Sequence, residues 1–240
     1  MKENLVNKFN RFIIGILILS IVSVSFFFKL DTYLFIIVSF LSFYDLYKSK
    51  VLNLIGILLL LILLILFVLF TKHISFFVIT SLSLISIILF IYYHNYRRVF
   101  FSLSIIFFLL AFYNVSLIDR NIFYLLISVS FVNDTLAFLV GNIIKGPVIA
   151  PNISPNKTWS GTSFSFLLSY LILIYFGFNL FISIIIASLF FFGDLLFSFF
   201  KRKTSIKDFS SLLISHGGIL DRLDSMFLVF IFINFYLQFV

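Results

Sequence analysis

No cysteine occurs in these 240 residues, so disulfides and thiolate metal sites are excluded. Charge is scarce as well: 11% of the residues are Asp, Glu, Lys or Arg, and only nine are acidic. Proline appears three times, at Pro147, Pro151 and Pro155, all within one short stretch. A chain with 62% hydrophobic residues and a mean hydropathy of +1.23 cannot clothe a soluble fold in polar surface. It reads as an integral membrane protein whose stability must come from helix packing in lipid.

What charge there is has a pattern. The net charge of +8 does not form a basic patch for nucleic acid; the bases sit in short loops between hydrophobic runs, as the positive-inside rule requires. Runs long enough to approach or cross about 30 Å of hydrocarbon lie at 12–28, 32–46, 51–70, 74–93, 99–118, 121–141, 162–178, 180–200 and 225–240. The second and last are short. The expected fold is all-α, a polytopic helical bundle of about eight to nine transmembrane helices, because backbone groups in lipid need partners within the segment. With the N-terminus cytoplasmic, fourteen bases face inward and only Lys29, Lys72 and Arg120 face outward. The first run has a basic flank but no small-residue cleavage site, so it reads as a retained helix. A bacterial inner membrane is the expected location.

The two halves differ in kind. Residues 1–130 form hydrophobic hairpins almost free of polar groups, whereas 131–240 carries two polar loops, 142–160 and 201–224, both on the inferred cytoplasmic side. One continuous membrane domain is the economical description. The three prolines and nearby Gly146 and Gly161 make the first loop stiff rather than helical.

Asp134 and Asp194 lie inside hydrophobic runs, each seven residues before its span's cytoplasmic end. That places both roughly 10 Å below the surface, and an intramembrane carboxylate marks a functional site or a buried structural pair. Asp221 and Asp224 open the last span at spacing i, i+3, so they share one helix face. Together the four carboxylates offer an oxygen-rich site of the kind Mg²⁺ accepts alongside water and phosphate. His216-Gly217-Gly218 suits close approach of backbone amides to an anion, and equally suits an ordinary turn. Ser154, Lys157 and Thr158 in the first loop offer two hydroxyls and an ammonium for phosphates. Lys201, Arg202 and Lys203 read either as phosphate ligands or as a positive-inside stop, while Lys207-Asp208 lies beyond the reach of that second explanation.

Residues 198–224 resemble the signature of the phosphatidate cytidylyltransferases (CDP-diacylglycerol synthases). The resemblance is carried by Ser198, Lys201-Arg202, Lys207-Asp208, Ser210, His216-Gly217-Gly218 and Asp221-Arg222-Leu223-Asp224. Upstream, Asp134-Thr135-Leu136-Ala137-Phe138, Ser154-Pro155-Asn156-Lys157-Thr158 and Gly193-Asp194 resemble further segments of that family. Ile214, Ser160 and Asn142 depart from its usual residues. The resemblance covers the C-terminal half; the N-terminal half matches only as a hydrophobic bundle.

The resemblance implies a helical membrane enzyme that converts CTP and phosphatidate to CDP-diacylglycerol and pyrophosphate. It implies Mg²⁺, with a second cation left open, and a homodimer. Asp194, Asp221, Asp134 and Asp224 would hold or orient the metal; Asp194, Asp221, Lys207 and His216 would form the reacting centre. Ser154, Lys157, Thr158, Lys201, Arg202, Gly217, Gly218 and Arg222 would bind nucleotide or phosphate. Two other readings stay open: a related CTP-dependent enzyme of another lipid phosphate, either an ether-lipid cytidylyltransferase or a lipid kinase, and a transporter coupled through Asp134 and Asp194.

Overall fold

The structure, a computed structural model, describes residue 17 and residues 19–69, 76–210, 212 and 217–239. His216, Ile214 and parts of the expected spans 12–28, 51–70 and 74–93 lie outside the described residues. Helices follow the hydrophobic runs: α1 Leu19–Phe28, α2 Asp31–Lys48, α3 Leu54–Leu69, α4 Phe76–Tyr92, α5 Arg97–Ile118, α6 Arg120–Ile144, α7 Trp159–Tyr175, α8 Leu180–Lys203, the one-turn α9 Leu220–Leu223, and α10 Met226–Tyr236. A 3₁₀ turn at His94–Tyr96 leads into α5. Among the described residues, three helical stretches, His94–Ile118, Arg120–Ile144 and Leu180–Lys203, are long and apolar enough to cross a membrane.

The expected all-α fold needs one addition, within the loop read as stiff rather than helical. Residues 148–158 form an antiparallel hairpin, β1 Val148–Ala150 with β2 Ser154–Thr158. Proline explains it. Pro151 follows Ala150 in a turn closed by the Ile153 amide donating to the Ala150 carbonyl at 3.1 Å, and Pro is favoured at that second turn position. Pro155 brings no amide to the ladder, and the pairing slips between Val148↔Thr158 and Ala150↔Ser154, so the irregularity absorbs the missing donor.

The chain divides into two compact units. The first comprises residues 1–124, 203–223 and 230–240. Its centre is α5, which packs against α2, α3 and α4 and is buried on all sides along most of its length, as a helix without a polar face should be. Phe112 lies between Phe123 and Phe230, with ring centroids 4.7 and 4.9 Å away. Phe209, from the polar 203–223 segment, stacks on Phe101 of α5 at 5.6 Å and anchors that segment. At the start of α6, Arg120 bonds Asp31 at 3.0 Å and lies over the Phe26 and Tyr124 rings, while the Tyr124 hydroxyl donates to Asp31 at 2.6 Å.

The second unit comprises residues 125–202 and 224–229. Here α6 and α7 cross at glycine. A Cβ on Gly161 would collide with the Ala137 carbonyl and crowd Gly141, and one on Gly141 would meet Thr158 Oγ1 at 2.8 Å. Ser169 donates to Asn133 at 3.1 Å across the same pair. The aromatic ring of Phe227 meets Phe197 and Phe200 of α8.

Candidate active site

The polar groups of the second unit converge where α8 meets the start of α10. Gly193 makes that approach possible: a Cβ there would stand 3.0 Å from the Ser225 carbonyl and 3.1 Å from that of Asp224. The glycine therefore sets Asp194, next in the chain, beside Asp224. From α6, Asp134 accepts from Ser225 Oγ at 3.1 Å, and the same hydroxyl meets Ser130 Oγ at 2.6 Å. The Ser225 amide donates to Asp224 Oδ1 at 2.9 Å. Ser225 thus ties the Asp134 and Asp224 carboxylates together.

Two cations face these acids. Lys157, carried on β2, forms an ion pair with Asp194 Oδ2, and Ser198 Oγ, one turn along α8, stands 3.4 Å from the other oxygen. The hairpin is fixed for this task. Thr158 caps α7 by accepting from the Gly161 amide, Ser160 donates to the Lys145 carbonyl, and Arg202 Nε donates to the Ile153 carbonyl at 3.3 Å. Burial pushes the Asp224 carboxyl well above its ordinary range; the charges of Asp194 and Asp134 push it further, and Lys201 and Lys157 pull it back. Five groups, Asp134, Asp194, Asp224, Lys157 and Lys201, therefore act on one another within this unit.

The remaining signature residues belong to the first unit. Asp221 Oδ2 accepts from the amides of Gly218 at 2.8 Å and Phe209 at 3.1 Å. The Gly218 amide, expected to face an anion, is thus given to Asp221. The expectation that Asp221 and Asp224 open one helix also needs correction. Asp221 lies in α9, the helix stops at Leu223, and α10 starts only at Met226. Asp224 sits in the break, where its carboxylate takes the Ser225 amide instead of extending α9. Thr158 and Ser154 are engaged in the α7 cap and the hairpin pairing. Lys207 and Asp208 are exposed, and Arg222 is half-buried.

Two contributors escaped the sequence reading. Ser225 gives no signal of its own beside Asp224. Asp45 does. It is a carboxylate in the apolar run 32–46, it is fully buried, and it accepts from Ser210 Oγ at 2.6 Å and the Leu220 amide at 2.9 Å. The rule that singled out Asp134 and Asp194 applies to it equally.

Among the described residues, no three Asp, Glu or His side chains form a ready-made metal cluster. The donor set still fits Mg²⁺, which needs only one or two carboxylates plus water and substrate phosphate. Mutually repelling carboxylates around a buried Asp224 are what a divalent cation neutralises.

The profile of the cytidylyltransferase family matches residues 10–240. The chain belongs to the cytidylyltransferase family. Relatives within reach of that match include the phosphatidate cytidylyltransferases of Rickettsia prowazekii, 37% identical over 148 residues that cover 54% of this chain and 65% of the relative, and of Rickettsia typhi, 39% identical over 123 residues, 43% of this chain and 54% of the relative. That of Helicobacter pylori is 39% identical over 103 residues, 39% of this chain and 38% of the relative. The chain thus spans between about a third and two thirds of the length of these curated relatives.

Proposed function

We propose that this chain transfers the cytidylyl group of CTP to phosphatidate, giving CDP-diacylglycerol and pyrophosphate. The observation that carries this reading is the convergence of Asp134, Asp194 and Asp224 with Lys157 and Lys201 in the second unit; the family supplies the reaction class. A phosphate oxygen of the lipid bonds to the α-phosphorus of CTP as the bond from that phosphorus to the β-phosphate bridging oxygen breaks. The electron pair leaves with pyrophosphate. Such a transfer asks the protein for alignment and charge neutralisation rather than a covalent intermediate.

In this reading Asp194 and Asp224 hold Mg²⁺, with Asp134 orienting Asp224 through Ser225. When bound, the metal neutralises phosphate oxygens and fixes their direction. Lys157, which pairs with Asp194, would take up triphosphate charge, and Lys201 and Arg202 would do so from the end of α8. The family resemblance assigns phosphate binding or reaction roles to Lys207, Arg222 and His216, and Asp221 holds the described part of their segment through its two amide contacts. Both polar loops face the cytoplasm, where CTP is found, and the apolar helices cross the membrane as a multi-pass bundle of about eight to nine spans. A homodimer in the bacterial inner membrane completes the proposal.

The test uses full-length protein in phosphatidate vesicles with CTP and Mg²⁺. CDP-diacylglycerol from wild type and none from Asp194→Asn is the expected result. Phosphorylated lipid with release of CDP would replace it with kinase chemistry, and solute uptake without nucleotide turnover would replace it with transport.

A further inference from the structure

The geometry points to Asp45, in the N-terminal half, as the positioning residue for the polar segment 203–223. Asp45 sits on α2, which packs against α9, and is completely excluded from solvent. A carboxylate is costly to bury unless its oxygens are satisfied, and here each has a separate partner. Oδ1 takes the Ser210 hydroxyl at 2.6 Å and Oδ2 takes the Leu220 amide at 2.9 Å. The carboxylate occupies the space left by the missing side chain of Gly218, where a Cβ would collide with it. Gly218 is therefore glycine to admit Asp45.

Asp221 holds the same two stretches of chain from the other side, taking the amides of Phe209 and Gly218. The pairs interlock: Phe209 and Ser210 at one end, Gly218 and Leu220 at the other, with each carboxylate holding one member of each pair. Because the Leu220 amide directly precedes Asp221, Asp45 fixes where Asp221 and Arg222 stand. This role rests on the proposed reaction only for its effect on turnover; the anchoring itself is independent of it.

The chemistry distinguishes anchoring from direct action. Asn at position 45 can accept from the Leu220 amide through its oxygen and donate to Ser210 Oγ through its nitrogen, so both anchors survive without the charge. Ala at 45 takes the acceptor from the buried Leu220 amide and from the half-buried Ser210 hydroxyl. Full-length Asp45→Asn, Asp45→Ala and Ser210→Ala proteins are compared in detergent by CTP-dependent turnover and by hydrogen–deuterium exchange of peptides covering 206–210 and 217–223. Asp45→Ala is expected to lower kcat/KM by about ten- to hundredfold and to speed exchange in those peptides alone. Asp45→Asn is expected to stay within a few-fold of wild type in both readouts.

Wild-type turnover and exchange in Asp45→Ala would overturn the inference. So would Asp45→Asn as inactive as Asp45→Ala with undisturbed exchange, since the charge would then act on substrate or metal directly. Should Asp45→Ala not fold, Ser210→Ala removes one anchor from a weakly packed position; faster exchange over 206–210 supports the inference, and unchanged exchange overturns it. A wild type without cytidylyl transfer defeats the proposed reaction but not the anchoring, which the exchange data decide alone.

Discussion

Replacing Gly193 with Ala places one methyl group where two backbone carbonyls already stand. The added carbon would lie 3.0 Å from the Ser225 oxygen, 3.1 Å from the Asp224 oxygen and 3.5 Å from the Leu228 amide nitrogen, whereas ordinary contact begins at 3.4 Å. Neither carbonyl is the end of a flexible side chain, so α8 and the 224–225 strand of chain must part by about 0.4 Å. Overpacking of this kind costs about 1–3 kcal/mol of stability. Its effect on turnover is larger than the stability change suggests, because the same movement separates Asp194 from Asp224. A misplacement of about 1 Å can cost about a hundredfold in rate, so about 0.4 Å should cost about five- to tenfold in kcat, with a matching rise in the Mg²⁺ concentration needed for half-maximal rate. Steady-state kinetics in mixed micelles, scored per folded molecule from a detergent melt, provide the assay. Gly56→Ala is the control: its new Cβ meets only the flexible Leu52 side chain at 3.3 Å, so stability should hold or rise by up to about 1 kcal/mol with kcat unchanged. A Gly193→Ala protein with wild-type kcat and Mg²⁺ dependence would refute the claim that this crossing sets the carboxylate spacing.

Asp194→Asn should reduce turnover by at least about a thousandfold, while Asp221→Asn, whose amide oxygen can still accept from Phe209 and Gly218, should lose about tenfold or less; paired kinetics of the two variants check this order. Protons and Mg²⁺ compete for Asp224, whose carboxyl is raised first by burial and then by Asp194. Mg²⁺ half-saturation should therefore climb as pH falls, beginning above the ordinary carboxylate range near about 4; a metal titration at each pH measures it. Arg120→Ala strips Asp31 of its ion pair, leaving Tyr124 as a remaining donor. It should lower stability by about 1–3 kcal/mol in a detergent melt, with activity per folded molecule unchanged.

The helices were legible because lipid enforces them: where its ends lie among the described residues, each apolar run returns as a helix within a few residues of them. The hairpin was not, because Ser154–Thr158 lacks the alternation of a strand and contains a proline. Its turn chemistry at Pro151 was present but spoke only of stiffness. Spacing brought Asp134 and Asp194 forward, and the crossing at Gly193 explains why Asp224 joins them. Spacing misled at Asp221, since i, i+3 implies a shared face only along an unbroken helix and this one stops at Leu223. Asp45 was legible as a carboxylate in an apolar run, but its role was not, because its partners, Ser210 and Leu220, are more than 160 residues away and no local pattern records so distant a contact.

The proposed reaction is tested most directly by following two labels in CTP, one on the α- and one on the γ-phosphorus, with purified protein, Mg²⁺ and phosphatidate vesicles. Cytidylyl transfer predicts the α label in the lipid fraction and the γ label in pyrophosphate, in equal amounts. The γ label in lipid, with the α label remaining in CDP, would contradict it.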